Sequence, residues 1–141
     1  MLAPNDQQIF LIDEDDIVRD SLKVLLESHG KQVRDYRSAA EFMAETGSPR
    51  AGCLVLGYNR TIANGLELIA TLRRRGATMP VIFIVGGGDA TTRAAALAAG
   101  AFAYIERPVE ETALIRAVSA ALARKGGRAA NPVIAAAPLG A

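Results

Sequence analysis

Four acidic side chains stand in a row at residues 13–16, directly after the apolar run of residues 9–12. Carboxylate oxygens are the ligands that Mg²⁺ prefers in proteins, so Asp13 and Glu14 are candidates for a cation site. Acidic residues are also common as helix caps and in the first helical turn, where they complement the helix dipole. The pattern fits a carboxylate cluster that binds a cation, and equally a capping acid beside solvated neighbours.

Three glycines at residues 86–88 invite comparison with phosphate-binding loops. The run lacks the Gly-Lys-Ser/Thr ending of a Walker loop, and it is not a full dinucleotide fingerprint. A flexible turn into a helix capped by Asp89 is the simpler interpretation. His29 and the basic residues 73–75 lie at predicted helix ends, where positive charge complements the dipole, and we expect them to be solvated.

Composition restricts the class of protein. The 141 residues suit one domain, and the net charge of +1 gives no electrostatic attraction to nucleic acid or membranes. No apolar run reaches the roughly 18 residues of a membrane span, and residues 1–8 do not resemble a signal peptide. Cys53 is the single cysteine, so no internal disulfide can form, and we expect its thiol to be buried. These features predict a cytoplasmic protein.

Strand and helix patterns alternate along the chain. Five strands are predicted at residues 9–12, 32–36, 53–56, 81–85 and 103–105. Each is followed by a helical pattern, two of them capped by Ser38 and Asp89. Continuous apolar strands form parallel sheets that are covered on both faces. The prediction is one doubly wound α/β domain over residues 5–125, followed by a disordered tail or truncated linker at residues 126–141.

This arrangement resembles the receiver domains of response regulators, especially receivers of the nitrogen-fixation transcription-regulator kind. The resemblance rests on the paired acids Asp13-Glu14, the loop at residues 86–89, the Ala-Gly-Ala-Phe of residues 99–102 and the Tyr-Ile-Glu-Arg-Pro of residues 104–108. It covers residues 9–124. It implies the flavodoxin-like strand order 2-1-3-4-5, with a pocket at the carboxyl ends of the strands.

The phosphate-accepting position departs from the family pattern. In the family an aspartate ends the third strand eight residues before a glycine, and counting back from Gly65 gives Gly57. No Asp or Glu occurs between Glu45 and Glu67, so a small error in this alignment supplies no carboxylate. Acyl-phosphate chemistry needs a carboxylate nucleophile. The resemblance therefore implies a receiver without its usual phosphoacceptor.

Two further positions complete the degenerate pocket that the resemblance implies, and a third is the family's switch position. Val85 stands where the family has a Ser or Thr whose hydroxyl binds the phosphoryl group, and Arg107 stands where it has a lysine. Because the planar guanidinium suits carboxylates, we expect Arg107 to pair with Asp13 or Glu14. Tyr104 matches the family's switch aromatic, but Val85 lacks the hydroxyl that it would follow.

The family's cation site also has fewer ligands in this sequence. Asp13, Glu14 and the backbone carbonyl expected at Asn59 remain as ligands, and the third carboxylate is absent. Since ligand charge sets affinity, we expect no cofactor, or at most a weak Mg²⁺ site.

The resulting prediction is a degenerate receiver of a two-component phosphorelay pathway that acts by protein–protein interaction and is not an enzyme. The resemblance implies a partner such as a histidine kinase or another regulator, and a homodimer through helix 4, strand 5 and helix 5, with Tyr104 at the interface. Two alternatives stay open: phosphorylation of a non-standard acid such as Asp15 or Asp16, and a small-ligand or nucleotide sensor at residues 86–88. The first is disfavoured because those acids lie away from the expected line of attack.

Overall fold

The computed structural model describes residues 7–47, 51–58 and 62–124. Five strands alternate there with five helices: β1 (Gln8–Asp13), α1 (Asp16–Ser28), β2 (Gln32–Tyr36), α2 (Ala39–Thr46), β3 (Cys53–Tyr58), α3 (Ala63–Arg74), β4 (Val81–Val85), α4 (Ala90–Ala98), β5 (Ala103–Glu106) and α5 (Glu111–Ala123). All strand pairs are parallel, and the sheet order is β2-β1-β3-β4-β5, which confirms the predicted topology. The tail predicted at residues 126–141 lies outside the described residues.

Local side-chain chemistry sets the helix ends. Asp15 accepts hydrogen bonds from the backbone N–H groups two and three residues ahead of it, at 2.9 and 3.0 Å. Ser38 and Asp89 each accept one from the N–H three residues ahead, at 3.1 and 2.9 Å. Caps of this kind contribute about 1 kcal/mol each. Gly30 and Gly76 follow the ends of α1 and α3 with φ of 79° and 85°, a conformation that glycine adopts without strain.

The sheet separates two apolar layers. Successive strand residues point to opposite faces, so in β1 Phe10 and Ile12 face α2, α3 and α4, while Ile9 and Leu11 face α1 and α5. Both faces are covered, which is why β1, β3 and β4 are continuous apolar runs in the sequence. β2 lies at the edge and is only half buried, as its alternating pattern predicts. Within the described ranges, no helix is long and apolar enough to cross a bilayer.

The register of the sheet defines its carboxyl edge. Asp13, the last residue of β1, lies opposite Gly57 of β3. Val85, the last residue of β4, lies opposite Tyr58 on one side and Glu106 on the other. The ends of four neighbouring strands therefore meet at one edge, where a doubly wound sheet places its sites.

Candidate functional site

Asp13 is the buried acid of this edge, with 4% of its surface exposed. One carboxylate oxygen, Oδ1, accepts a hydrogen bond from the backbone N–H of Asp15 at 2.9 Å. The other, Oδ2, accepts one from Nη2 of Arg107 at 3.2 Å. A buried charge is costly unless it is paired and hydrogen-bonded, and both conditions are met here.

Arg107 reaches Asp13 from the segment that follows β5. Its backbone N–H donates to the carbonyl of Val85 at 3.0 Å, and the peptide bond to Pro108 is cis. The side chain is 21% exposed, and its Nε is buried without a hydrogen-bond partner among the described residues. The structure thus brings Arg107 to Asp13, one of its two expected partners, whereas Glu14 is exposed.

Gly57 leaves the space in which this ion pair lies. A Cβ atom built on Gly57 would overlap Oδ2 of Asp13, would lie 2.9 Å from its Cγ and would lie 3.1 Å from Nη2 of Arg107. The first two contacts are too close for a real side chain. The carboxylate of Asp13 and the guanidinium of Arg107 therefore occupy the place where any side chain at position 57 would begin.

A cleft of about 270 Å³ opens beside the pair and is lined by Asp13, Glu14, Asp15, Gly57 and Tyr58. Burial, together with the nearby carboxylates of Glu14 and Asp13, raises the pKa of Tyr58 to about 12. Its hydroxyl is therefore neutral at physiological pH. A larger groove of about 410 Å³ shares Glu14, Gly57 and Tyr58 with this cleft and extends between α2 and α3.

The acids of this edge are poorly arranged for a metal ion. Over residues 7–47, 51–58 and 62–124, no three His, Cys, Asp or Glu side chains come together as a metal-binding group. Both oxygens of Asp13 already accept hydrogen bonds, and Asp15 caps α1. Glu14 is exposed, and of the two expected carboxylate ligands it is the one that Arg107 does not engage. Asn59, the third expected ligand, lies outside the described residues.

Val85 and Tyr104 lie on the layer that faces α2, α3 and α4. Both are fully buried, and Val85 offers no donor. The hydroxyl of Tyr104 has no hydrogen-bond partner in the part of the chain that the structure describes. The structure places Tyr104 inside the core, not on the surface expected of an interface residue, because its ring packs into this apolar layer.

Arg19 was not singled out from the sequence, yet it organises the edge. Its Nη1 donates to the backbone carbonyl of Asp13 at 2.9 Å. Its Nε donates to Asp35 of β2 at 3.0 Å, and its Nη2 to Asp16 at 2.8 Å. Arg19 therefore fixes the end of β1 against α1 and β2. The spacing of Asp16 and Arg19, three residues apart on a predicted helix, was the available signal.

The two alternative sites gain no support from the geometry. Asp15 is engaged as the cap of α1, and Asp16 is paired with Arg19 at 2.8 Å. At the glycine run of residues 86–88, the carboxylate of Asp89 accepts the N–H of Thr92 at the start of α4. A negative group therefore already lies where a phosphate would bind a helix N-terminus.

Comparisons with known proteins agree with this architecture. The family described as "Response regulator receiver domain" matches residues 9–119. The transcriptional regulatory protein FixJ of Azorhizobium caulinodans is 41% identical over 122 residues, covering 86% of this chain and 57% of that protein. TdiR of Thauera aromatica is 39% identical over 119 residues, covering 84% of this chain and 52% of that protein. This chain therefore spans about half the length of these curated relatives.

Among solved structures, the crystal structure of FixJ-N superposes with a TM-score of 0.74 at 33% identity, covering 84% of this chain and 94% of that one. A response regulator receiver protein from Burkholderia phymatum gives a TM-score of 0.67 at 35% identity, covering 82% of this chain and 94% of that one. The family match, the identities and the shared sheet order agree: this chain belongs to the response regulator receiver domain family.

Proposed function

We propose that this receiver domain signals by binding partner proteins, without phosphorylation at the end of β3. The observation that supports the proposal is the occupied space at Gly57, where Asp13 and Arg107 form an ion pair. A phosphorylatable receiver needs a carboxylate at that point to attack the phosphodonor. Here the position carries no side chain, and a neighbouring pair fills the space.

The charge balance of the pocket supports the same proposal. The guanidinium of Arg107 neutralises the buried carboxylate of Asp13 from within the chain. A bound cation would have to compete with this internal charge for Oδ2 of the same carboxylate. We infer that Mg²⁺ binds weakly or not at all, and that the pocket is a structural unit instead of a catalytic one.

The partners that we propose follow from the family. We infer that the domain binds a histidine kinase or another regulator in the cytoplasm, and that two copies associate through α4, β5 and α5. The relatives named transcriptional regulatory proteins suggest a pathway that ends in gene regulation. Nucleic-acid binding by this domain is not part of the proposal, since its net charge is +1.

Exposure to a small phosphodonor tests the proposal directly. After incubation with acetyl phosphate and Mg²⁺, we expect the intact mass of the protein to be unchanged. A receiver with an aspartate at the end of its third strand, treated in parallel, should gain one phosphoryl group and so show that the donor is active. A gain of one phosphoryl group on this chain, mapped to any of residues 13–16, would contradict the proposal and favour the alternative of a non-standard acceptor.

A further inference from the structure

Tyr104 lies in an unusual environment for a tyrosine. The residue is fully buried, and its hydroxyl has no hydrogen-bond partner among the described residues. Leaving a buried hydroxyl unpaired costs free energy. Something else must therefore favour the inward position of the ring.

Gly88 lies directly beside the hydroxyl oxygen of Tyr104. A Cβ atom built on Gly88 would overlap Oη of Tyr104 and would lie 3.0 Å from Cγ1 of Val85. The next atom of the surroundings, Cγ2 of Thr92, is at an ordinary distance of 3.5 Å. The obstacle to a side chain at position 88 is thus mainly one oxygen atom. The same oxygen has room only because position 88 is a glycine.

The ring of Tyr104 also meets α4. The guanidinium carbon of Arg93 lies 5.8 Å from the ring centroid of Tyr104, within the range of a cation–π contact. Leu97 lies one turn further along α4, with 37% of its surface exposed. With Tyr104 inside, the ring is covered, and Leu97 is the exposed large apolar side chain on this part of α4.

We propose that Gly88 is a positioning residue that holds Tyr104 inside the protein by leaving space for its hydroxyl. A methyl group at position 88 forces the ring out of the core and toward the surface near Arg93 and Leu97. The loop between β4 and α4 therefore decides whether an aromatic ring lies on the surface near Arg93 and Leu97. This inference goes beyond the proposed function and does not depend on the state of the pocket at Gly57.

Tyrosine fluorescence provides the test, because the chain has three tyrosines and no tryptophan. In a reference protein carrying Tyr36→Phe and Tyr58→Phe, all the tyrosine emission comes from Tyr104. We expect acrylamide to quench this emission weakly, and Gly88→Ala to raise the quenching constant severalfold. Gly86→Ala is the matched control, since Gly86 lies in the same loop and also has no positive φ; it should leave quenching unchanged.

Removing the hydroxyl gives a second, independent measurement. Gly88→Ala should lower the melting temperature of the otherwise unchanged protein much more than that of a protein carrying Tyr104→Phe, because the overlapping oxygen is then absent and the tight contact with Val85 is left. This comparison remains decisive if Gly88→Ala alone is too unstable for fluorescence. Unchanged quenching in a folded Gly88→Ala protein would overturn the inference. So would an equal loss of melting temperature with and without Tyr104→Phe.

Discussion

Arg107 carries the positive charge opposite the buried carboxylate of Asp13, across a contact of 3.2 Å. The two side chains differ in exposure, 21% for the arginine and 5% for the acid. Truncating the arginine leaves the less accessible charge without its partner. Losing the partner of a charge destabilises the fold strongly when the remaining charge cannot reach water. The cleft gives the carboxylate of Asp13 only limited access to water.

Arg107→Ala should therefore reduce the free energy of unfolding by about 1–3 kcal/mol, between the values typical of exposed and of fully buried pairs. Urea denaturation at neutral pH measures this change in the free energy of unfolding. Arg116→Ala, which removes an exposed arginine on α5, is the control and should change stability little. If Asp13→Asn and Arg107→Ala have strictly additive effects, the ion pair contributes no coupling and the assignment fails.

Gly57→Asp returns a carboxylate to the pocket and displaces the ion pair that fills it. In the absence of metal we expect a lower melting temperature, because the new side chain overlaps Asp13 and adds a like charge. Millimolar Mg²⁺ should recover part of this loss, since crowded carboxylates become a ligand set. The wild type should respond little.

Gly57→Asn separates size from charge in that experiment. It has the same steric conflict with Asp13 but adds no charge, so Mg²⁺ should not recover its stability. An equal response to Mg²⁺ in wild type, Gly57→Asp and Gly57→Asn would show that position 57 does not face the acids.

The residues of the pocket were accessible to sequence reasoning to different degrees. Counting back from Gly65 located Gly57. Position 65 has little room for a side chain, because a Cβ atom built there would lie 2.6 Å from Cε1 of Phe83. Arg107 was predicted to meet Asp13 or Glu14, but the choice depends on which acid points inward. The inward position of Tyr104 was not predicted, because it depends on space beside Gly88 that only the folded loop defines.

Among the elements, α1, β1 and β2 are joined by side chains that cross between them. Arg19 of α1 and Lys23, one turn later, both contact Asp35 of β2, at 3.0 and 3.3 Å. Burial raises the pKa of Asp35, but the hydrogen bonds from Arg19 and Lys23 and their charges outweigh it, so the pKa lies below its ordinary value of 3.8. The edge strand is thus held by an ionised carboxylate.

The sign of this shift predicts a pH dependence. Because the folded pKa of Asp35 is depressed, its stabilising contribution is present above the unfolded value near 3.8 and is lost as the pH falls through the folded pKa. Asp35→Asn should lower stability at pH 7 by up to about 1 kcal/mol, since the pair is partly exposed. The substitution should reduce the free energy of unfolding by less below pH 3.8, because there the wild type itself begins to lose the stabilisation from Asp35.

Denaturation curves of wild type and Asp35→Asn at several pH values between neutral and acid conditions measure this difference. Asp20→Asn, which replaces an exposed acid on α1, is the control. Its difference in stability from the wild type should be the same at every pH. A difference between wild type and Asp35→Asn that stays constant with pH would exclude the ion pairs as its cause.

Element boundaries were predicted best where local signals are strong. β2 and β4 have the predicted bounds, and the caps Ser38 and Asp89 act as expected. β3 was predicted to end at Leu56, but it continues through Gly57 and Tyr58, which pair with Ile84 and Val85. A glycine is a poor strand former in isolation, and its position at the centre of the sheet overrides that preference.

For the whole molecule, the architecture followed from periodicity alone. Apolar runs alternating with amphipathic segments allow few arrangements, and the right-handed crossover of parallel strands removes most of the rest. The strand order β2-β1-β3-β4-β5 could be added only through the family resemblance, because local patterns carry no information about which strands are neighbours. The charge network at the carboxyl edge depends on that order, and so it could not be obtained from periodicity.

The filled space at Gly57 has an evolutionary consequence. Two of the four glycine codons become an aspartate codon by a single nucleotide substitution, so where one of them is used an aspartate at position 57 is one mutation away. That aspartate would meet the carboxylate of Asp13 and the guanidinium of Arg107 at the point where its side chain begins. We expect the effect of that substitution to depend on the residues at positions 13 and 107. The ion pair of Asp13 and Arg107 therefore makes an aspartate at position 57 costly in this domain, even where a single nucleotide change would supply it.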